Sequence, residues 1–66
     1  MKSYTIMHAR KDHVWITETD SYTQIKVESF LSRGEKDREI MILDRFMNII
    51  FYKRAGHATE INTYRL

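Results

Sequence analysis

Polar and apolar positions change their spacing twice along this chain. Over residues 3–9, SYTIMHA, and 13–19, HVWITET, β-branched and aromatic residues are interleaved with polar ones, as in strands. The charged corner Arg10-Lys11-Asp12 separates the runs. It predicts a hairpin in which Arg10 faces His13, His8 faces Trp15 and Met7 faces Ile16. Side-chain alternation then puts Met7, Ala9, Val14 and Ile16 on one face, and Tyr4, Ile6, His8, Arg10, His13, Trp15 and Thr17 on the other. The first set is small and apolar and is expected to lie beneath a helix.

Beyond residue 32 the spacing reads as helical. Ser32 followed by Glu35 fits a capping box, with Glu35, Asp37 and Glu39 at the front, Lys53 and Arg54 at the back, and Gly56 to close the helix. At about 100° per residue, Ile40, Leu43, Phe46, Met47, Ile50 and Phe51 gather on one side, and Ile42 and Ile49 widen the stripe. The pattern predicts one long amphipathic helix over about residues 33–54. Residues 22–31, YTQIKVESFL, fit a strand better than a helix, although Ser21 and Gly34 could cap a helix there. The tail HATEINTYRL has the spacing of a short edge strand.

The stretch LDRFMNIIF is also similar to the first motif of the Sm/Lsm-like RNA-binding proteins. Leu43, Asp44, Met47 and Asn48 stand at the family's spacing, and Gly34 lies one residue from the place of its upstream glycine. The resemblance covers about a third of the chain and implies a strand ending at Asp44 and another beginning near Asn48. The family's second motif, with its Arg-Gly pair, is absent. The capping and dipole signals favour the helix over this strand.

Together these elements predict an α+β fold, a three- or four-stranded antiparallel sheet covered on one face by one long helix, in a single domain spanning residues 1–66. A 66-residue chain makes a modest core, and with no cysteine it has neither a disulfide nor a thiolate metal site to reinforce it. A homodimer is therefore expected, through the part of the wide helical stripe, Ile42, Phe46 and Ile49, that three short strands leave uncovered; the alternative is that the C-terminal tail folds back over these residues. No run has the length of a membrane span or a secretory leader, so the expected location is the cytoplasm. The formal charge of +2 selects neither a nucleic acid nor a protein as partner.

Candidate chemistry is sparse. His8, His13 and His57 are the only imidazoles, and their spacing does not converge three ligands on a metal. No phosphate-cradling glycine loop, nucleophile–base pair or cofactor motif is present, and no enzyme activity or cofactor is expected. The distinctive set is Tyr4, His8, Arg10, His13, Trp15, Tyr22 and Lys26, an aromatic and basic group expected on the outer sheet face. Such a surface suits a protein interface anchored by Trp, Tyr and Arg. It also suits stacking on bases with contacts to phosphates, and a sheet with one covering helix resembles some small DNA-binding domains of recombinases. The plainest alternative is ordinary cross-strand packing. The sequence thus points to a small regulator, inhibitor or adaptor binding a larger protein through this face, with a nucleic-acid-binding module as the second possibility.

Overall fold

The computed structural model describes residues 2–56 and 61–62. In chain order it contains β1 (Tyr4–Arg10), β2 (His13–Thr19), α1 (Tyr22–Arg33), β3 (Arg38–Asp44), β4 (Ile49–Lys53) and the two-residue β5 (Ile61–Asn62). The strands form one antiparallel sheet in the order β2-β1-β3-β4-β5, and α1 packs on one face of it against β3 and β4. The α+β class, the antiparallel sheet and the single covering helix agree with the sequence reading. So does the first hairpin: Arg10 pairs with His13, His8 with Trp15 and Met7 with Ile16, across a turn in which Lys11 takes φ 53°. Ile61–Asn62 adds the short edge strand expected in the tail; the rest of that tail, with His57, lies outside the described residues.

The position of the helix is a correction. It occupies residues 22–33, where a strand was favoured, and residues 33–54, read as a long helix, hold β3, β4 and their connection. Local hydrogen bonding explains the change. Ser21 is the N-cap, its hydroxyl accepting from the Gln24 N–H at 3.1 Å, and the Gly34 N–H closes the last turn onto the Leu31 carbonyl at 3.1 Å. Ser32 caps nothing: it is buried in that last turn and donates to the Ser29 carbonyl at 2.8 Å. The acids that resembled a helix start serve other partners, Glu35 accepting from Arg10 and Arg38 and Glu39 from the Tyr52 hydroxyl.

The periodicity of β3 failed as a guide because both its faces are apolar. Ile40 and Ile42 point into the core while Met41 and Leu43 occupy the opposite face, so the strand reads as an unbroken run, which spacing alone does not distinguish from helix. A bulge between Ile42 and Leu43 shifts the phase against β4, adding to the appearance of a helical repeat. The dimer expected through a 33–54 helix loses its basis with that helix. Ile42 is in the core, although Phe46 and Ile49 are exposed.

The core lies between α1 and the sheet and consists of Ile6, Ile25, Ile40, Ile42 and Phe51, with Tyr4 and Ile50 packed at its margin. This reverses the predicted faces. Ile6 and His8 point under the helix, while Met7, Val14 and Ile16, expected there, are exposed on the other side. The helix contributes little apolar surface: its buried positions are Ile25, Ser29 and Ser32, and Val27, Phe30 and Leu31 face outward.

Candidate functional site

The seven residues singled out in the sequence all fall on the helix side of the sheet or on the helix itself, and the structure divides them into a buried group and an accessible rim. His8 is buried; Tyr4, Arg10 and Trp15 are half-buried; His13, Tyr22 and Lys26 are exposed. The expectation that this set forms the open face of the sheet is therefore corrected. Because α1 sits over β3 and β4, the rim lies beside the helix, toward the free strand β2.

Trp15 is the fixed point of the rim. Its ring stacks on His8 at 4.6 Å between centroids with planes 3° apart, and on His13 at 4.9 Å and 29°. Two imidazoles on neighbouring strands thus hold an indole that is still partly accessible. Nearer the start of α1, the Tyr4 and Tyr22 rings lie 6.2 Å apart and the Lys26 ammonium stands 5.9 Å from the Tyr22 ring. Thr19 links β2 to the helix, donating to Gln24 Oε1 at 2.9 Å and accepting from the Ser21 N–H at 3.0 Å.

Behind the rim is a polar cluster that sequence reasoning missed, built on Arg38. Its guanidinium, almost wholly buried, donates to Glu28 Oε1 at 2.7 Å, to Glu35 Oε1 at 2.9 Å and to His8 Nδ1 at 2.9 Å. Arg10 donates to the other Glu35 oxygen at 2.6 Å. Lys53, also buried, donates its ammonium protons to the Glu35 and Arg38 carbonyls. Glu28 reaches in from the helix, so the charged cluster occupies ground that a larger apolar helix face would have filled. Only the Glu35 and Arg38 spacing, three residues apart, offered a sequence-level hint of this network.

The chemistry of His8 follows from its partners. A guanidinium only donates, so Nδ1 is an acceptor and the ring proton sits on Nε2, directed at Thr17 Oγ1, 3.1 Å away. Burial, reinforced by the Arg38 charge, holds the pKa of His8 below the ordinary value. A general base beside a hydroxyl requires a free Nε2 and a carboxylate on Nδ1; His8 has a protonated Nε2 and a cation on Nδ1. The Arg38 hydrogen bond is foremost in holding the Glu35 carboxyl below its usual range. Arg38 itself stays firmly charged: burial opposes its charge, and the bonds to Glu28 and Glu35 outweigh that opposition. Within this cluster the charged groups and His8 are engaged with one another.

The third constructed feature is the β3–β4 connection, residues 45–48. Asp44 Oδ1 accepts from the Phe46 N–H at 2.8 Å and the Asn48 N–H at 2.9 Å, and Oδ2 accepts from Asn48 Nδ2 at 3.1 Å. The Asn48 backbone hydrogen bond leads in lowering the Asp44 pKa. Met47 closes the turn in the left-handed region at φ 68°, with its N–H on the Asp44 carbonyl at 3.0 Å. Phe46 and Met47 are thereby displayed to solvent, with Arg45 5.0 Å over the Phe46 ring. A strand ending at Asp44 and another following Asn48 is the local arrangement that the Sm-like resemblance implied, and the likeness ends with that hairpin.

No family model, no curated protein and no solved structure matches this chain. Among the described residues, no helix is long and apolar enough to cross a membrane.

Proposed function

We propose that this chain is a small non-enzymatic binding module, a regulator, inhibitor or adaptor, which engages a larger protein at the rim between α1 and the free strand β2. The observation that carries this reading is Trp15: a part-exposed indole held rigidly between His8 and His13, on a strand that ends the sheet. A pre-ordered aromatic loses little side-chain entropy on binding, and Trp is the residue most enriched among interface anchors. An edge strand of seven residues also offers main-chain donors and acceptors to an extended segment of a partner, whose alternate side chains would reach Trp15 and Thr17. The basic residues of the set favour a protein over a nucleic acid, because the Arg10 charge is already balanced by Glu35 and Asp37.

The test is affinity capture from the source cell followed by binding curves with the purified partner. Trp15→Ala is expected to weaken binding by roughly thirtyfold or more, the effect of losing an anchor worth about 2 kcal/mol, while added salt changes the affinity little. Unaltered binding by both Trp15→Ala and Tyr22→Ala would remove the rim as the working surface. A partner that proves to be nucleic acid, with affinity falling steeply in salt, would replace this reading with the alternative.

A further inference from the structure

We infer that His8 is a proton-operated latch on Trp15: with the imidazole neutral the indole is held in the rim, and with the imidazole protonated the stack opens. This regulation rests on the reading of the rim as the binding surface, which is then assembled near neutral pH and released in acid. The geometry that carries it is the simultaneous use of one face and both nitrogens of a single buried ring. The His8 plane lies against Trp15, 4.6 Å between centroids and 3° from parallel. Its Nδ1 accepts from the Arg38 guanidinium at 2.9 Å, and its Nε2 proton is directed at Thr17 Oγ1, 3.1 Å away. At 3% exposure, the ring has no water to turn to in place of these partners.

A second ring proton has no acceptor. On Nδ1 it meets the N–H of a guanidinium, which carries only donors, and it sets two like charges at hydrogen-bond distance in a buried site. One of the two side chains must move, and Arg38 is the better anchored, with Glu28 Oε1 at 2.7 Å and Glu35 Oε1 at 2.9 Å. The other groups around the ring offer no substitute. Glu28, from α1, favours an imidazolium, but its carboxylate is engaged by Arg38. Glu35, between α1 and β3, is shared by Arg38 and Arg10. Arg10 on β1 and Lys53 on β4 add positive charge to the same cluster, and β2 faces the ring with the neutral Trp15 and Thr17. The lowered pKa of His8 has the same origin, burial first and the Arg38 charge second. His8 therefore yields, and the parallel stack on Trp15 goes with it. His13 meets the indole at 4.9 Å and 29° from the exposed side, where water can solvate a charge without displacing the ring.

The chain has one tryptophan, so indole signals report on Trp15 alone. The test is an NMR titration of the intact, unbound chain from pH 7.5 to 4.5, following the His8 ring, the Trp15 indole N–H and the cross-peaks between the two rings. Those cross-peaks should be lost, and the indole resonance should shift, with the midpoint at which the His8 ring itself titrates, while the amides of Ile6, Ile40 and Ile42 stay protected from exchange. His13→Gln should keep the transition, and His8→Gln should abolish it. If His8→Gln does not fold, the coincidence of the two midpoints in His13→Gln decides the matter. Cross-peaks that persist once His8 is charged, an indole that follows His13 instead, a His8 ring that stays neutral to pH 4.5, or core protection lost together with the stack would each overturn the latch. The titration involves no partner, so it is independent of the rim reading. Binding at pH 7.5 that ignores Trp15→Ala would remove that reading and leave the titration as it stands.

Discussion

The two faces of the sheet differ in what they mix: the covered face joins the apolar core of Ile6, Ile40, Ile42 and Phe51 with buried charge, and the open face leaves apolar side chains exposed. Beneath the helix lie His8, Arg38 and Lys53, with Glu28 and two serines pointing in from α1. The uncovered face presents Met7, Val14 and Ile16, and Phe46 and Met47 are exposed in the β3–β4 connection. The polar groups of the first face are held by specific partners: Arg38 pairs with Glu28 and Glu35, and Lys53 donates to two backbone carbonyls. The second face carries apolar area that the described fold leaves uncovered. On the covered face, a polar residue is accommodated where it has a specific partner.

Removing one partner from the covered face should give the largest effect. Arg38→Ala leaves Glu28, Glu35 and His8 without their shared donor, and breaking a buried ion pair costs about 3–5 kcal/mol. Denaturant unfolding measures it, and a loss below about 1 kcal/mol, the worth of a surface ion pair, would mean that the cluster is solvated. A neighbouring pair on β1 compares the faces directly. Ile6→Ala, fully buried, should cost about 2–5 kcal/mol, whereas Met7→Ala should cost under about 1 kcal/mol in the monomer. Equal costs would erase the contrast.

The helix offers the same comparison on a smaller scale. Ser32, fully buried beneath it, has no room for added methyl groups, so Ser32→Val should cost about 1–3 kcal/mol. Phe30→Ser, at a site 75% exposed, should change stability by no more than about 0.5 kcal/mol. Hydrophobicity taken alone predicts the opposite order.

That inversion explains how much of the molecule was legible in the sequence. The β1–β2 hairpin was readable because its pairing follows from a short charged turn, and turn length fixes register whichever face is buried. The α+β class was readable because the strand-like N-terminal runs and one helix were both recognised as present, although the helix was assigned to residues 33–54 instead of 22–33. Face assignment was not, since it rested on the rule that apolar residues go inside, and Met7, Val14 and Ile16 do not. The helix was misplaced for the same reason. Val27, Phe30 and Leu31 lacked a partner face, so residues 22–31 looked irregular, while β3 is apolar on both sides and mimicked an amphipathic repeat. Ser21 and Gly34 marked the true helix ends, and Leu43-Asp44 with Met47-Asn48 marked the second hairpin. These local backbone signals held where periodicity failed. Of the site, the aromatic members were found by type, whereas the local pair Glu35 and Arg38 meets Glu28, His8, Arg10 and Lys53 only through long-range pairing.

Acid should probe the covered side without any mutation, because His8 and Glu35, both with lowered pKa, belong to the cluster there. His8 has a folded pKa below the ordinary 6.5, so the unfolded chain takes up its proton first. The stabilisation is complete above pH 6.5 and is lost as pH falls toward the folded value. Glu35 is likewise depressed below 4.5, and its contribution is lost only below that pH. Stability measured against pH should fall in two stages. His8→Gln, which keeps an acceptor for Arg38 and a donor for Thr17 without titrating, should abolish the upper stage and leave the lower. A profile flat between pH 7 and 5 would mean that His8 is free to protonate in the fold.

A small effect of opposite sign is expected in the β3–β4 connection. Met47 holds φ 68° although it is not glycine, and an L-residue in the left-handed region costs roughly 1–2 kcal/mol. Its side chain is 69% exposed and makes little packing in the single chain to offset that cost. Glycine relieves the strain but loses more backbone freedom on folding, about 0.5–1 kcal/mol relative to alanine. Met47→Gly should therefore raise the stability of the monomer by about 1 kcal/mol or less, with the Asp44 hydrogen bonds to Phe46 and Asn48 preserved in amide exchange. A loss of monomer stability would instead place the Met47 side chain in packing within its own chain.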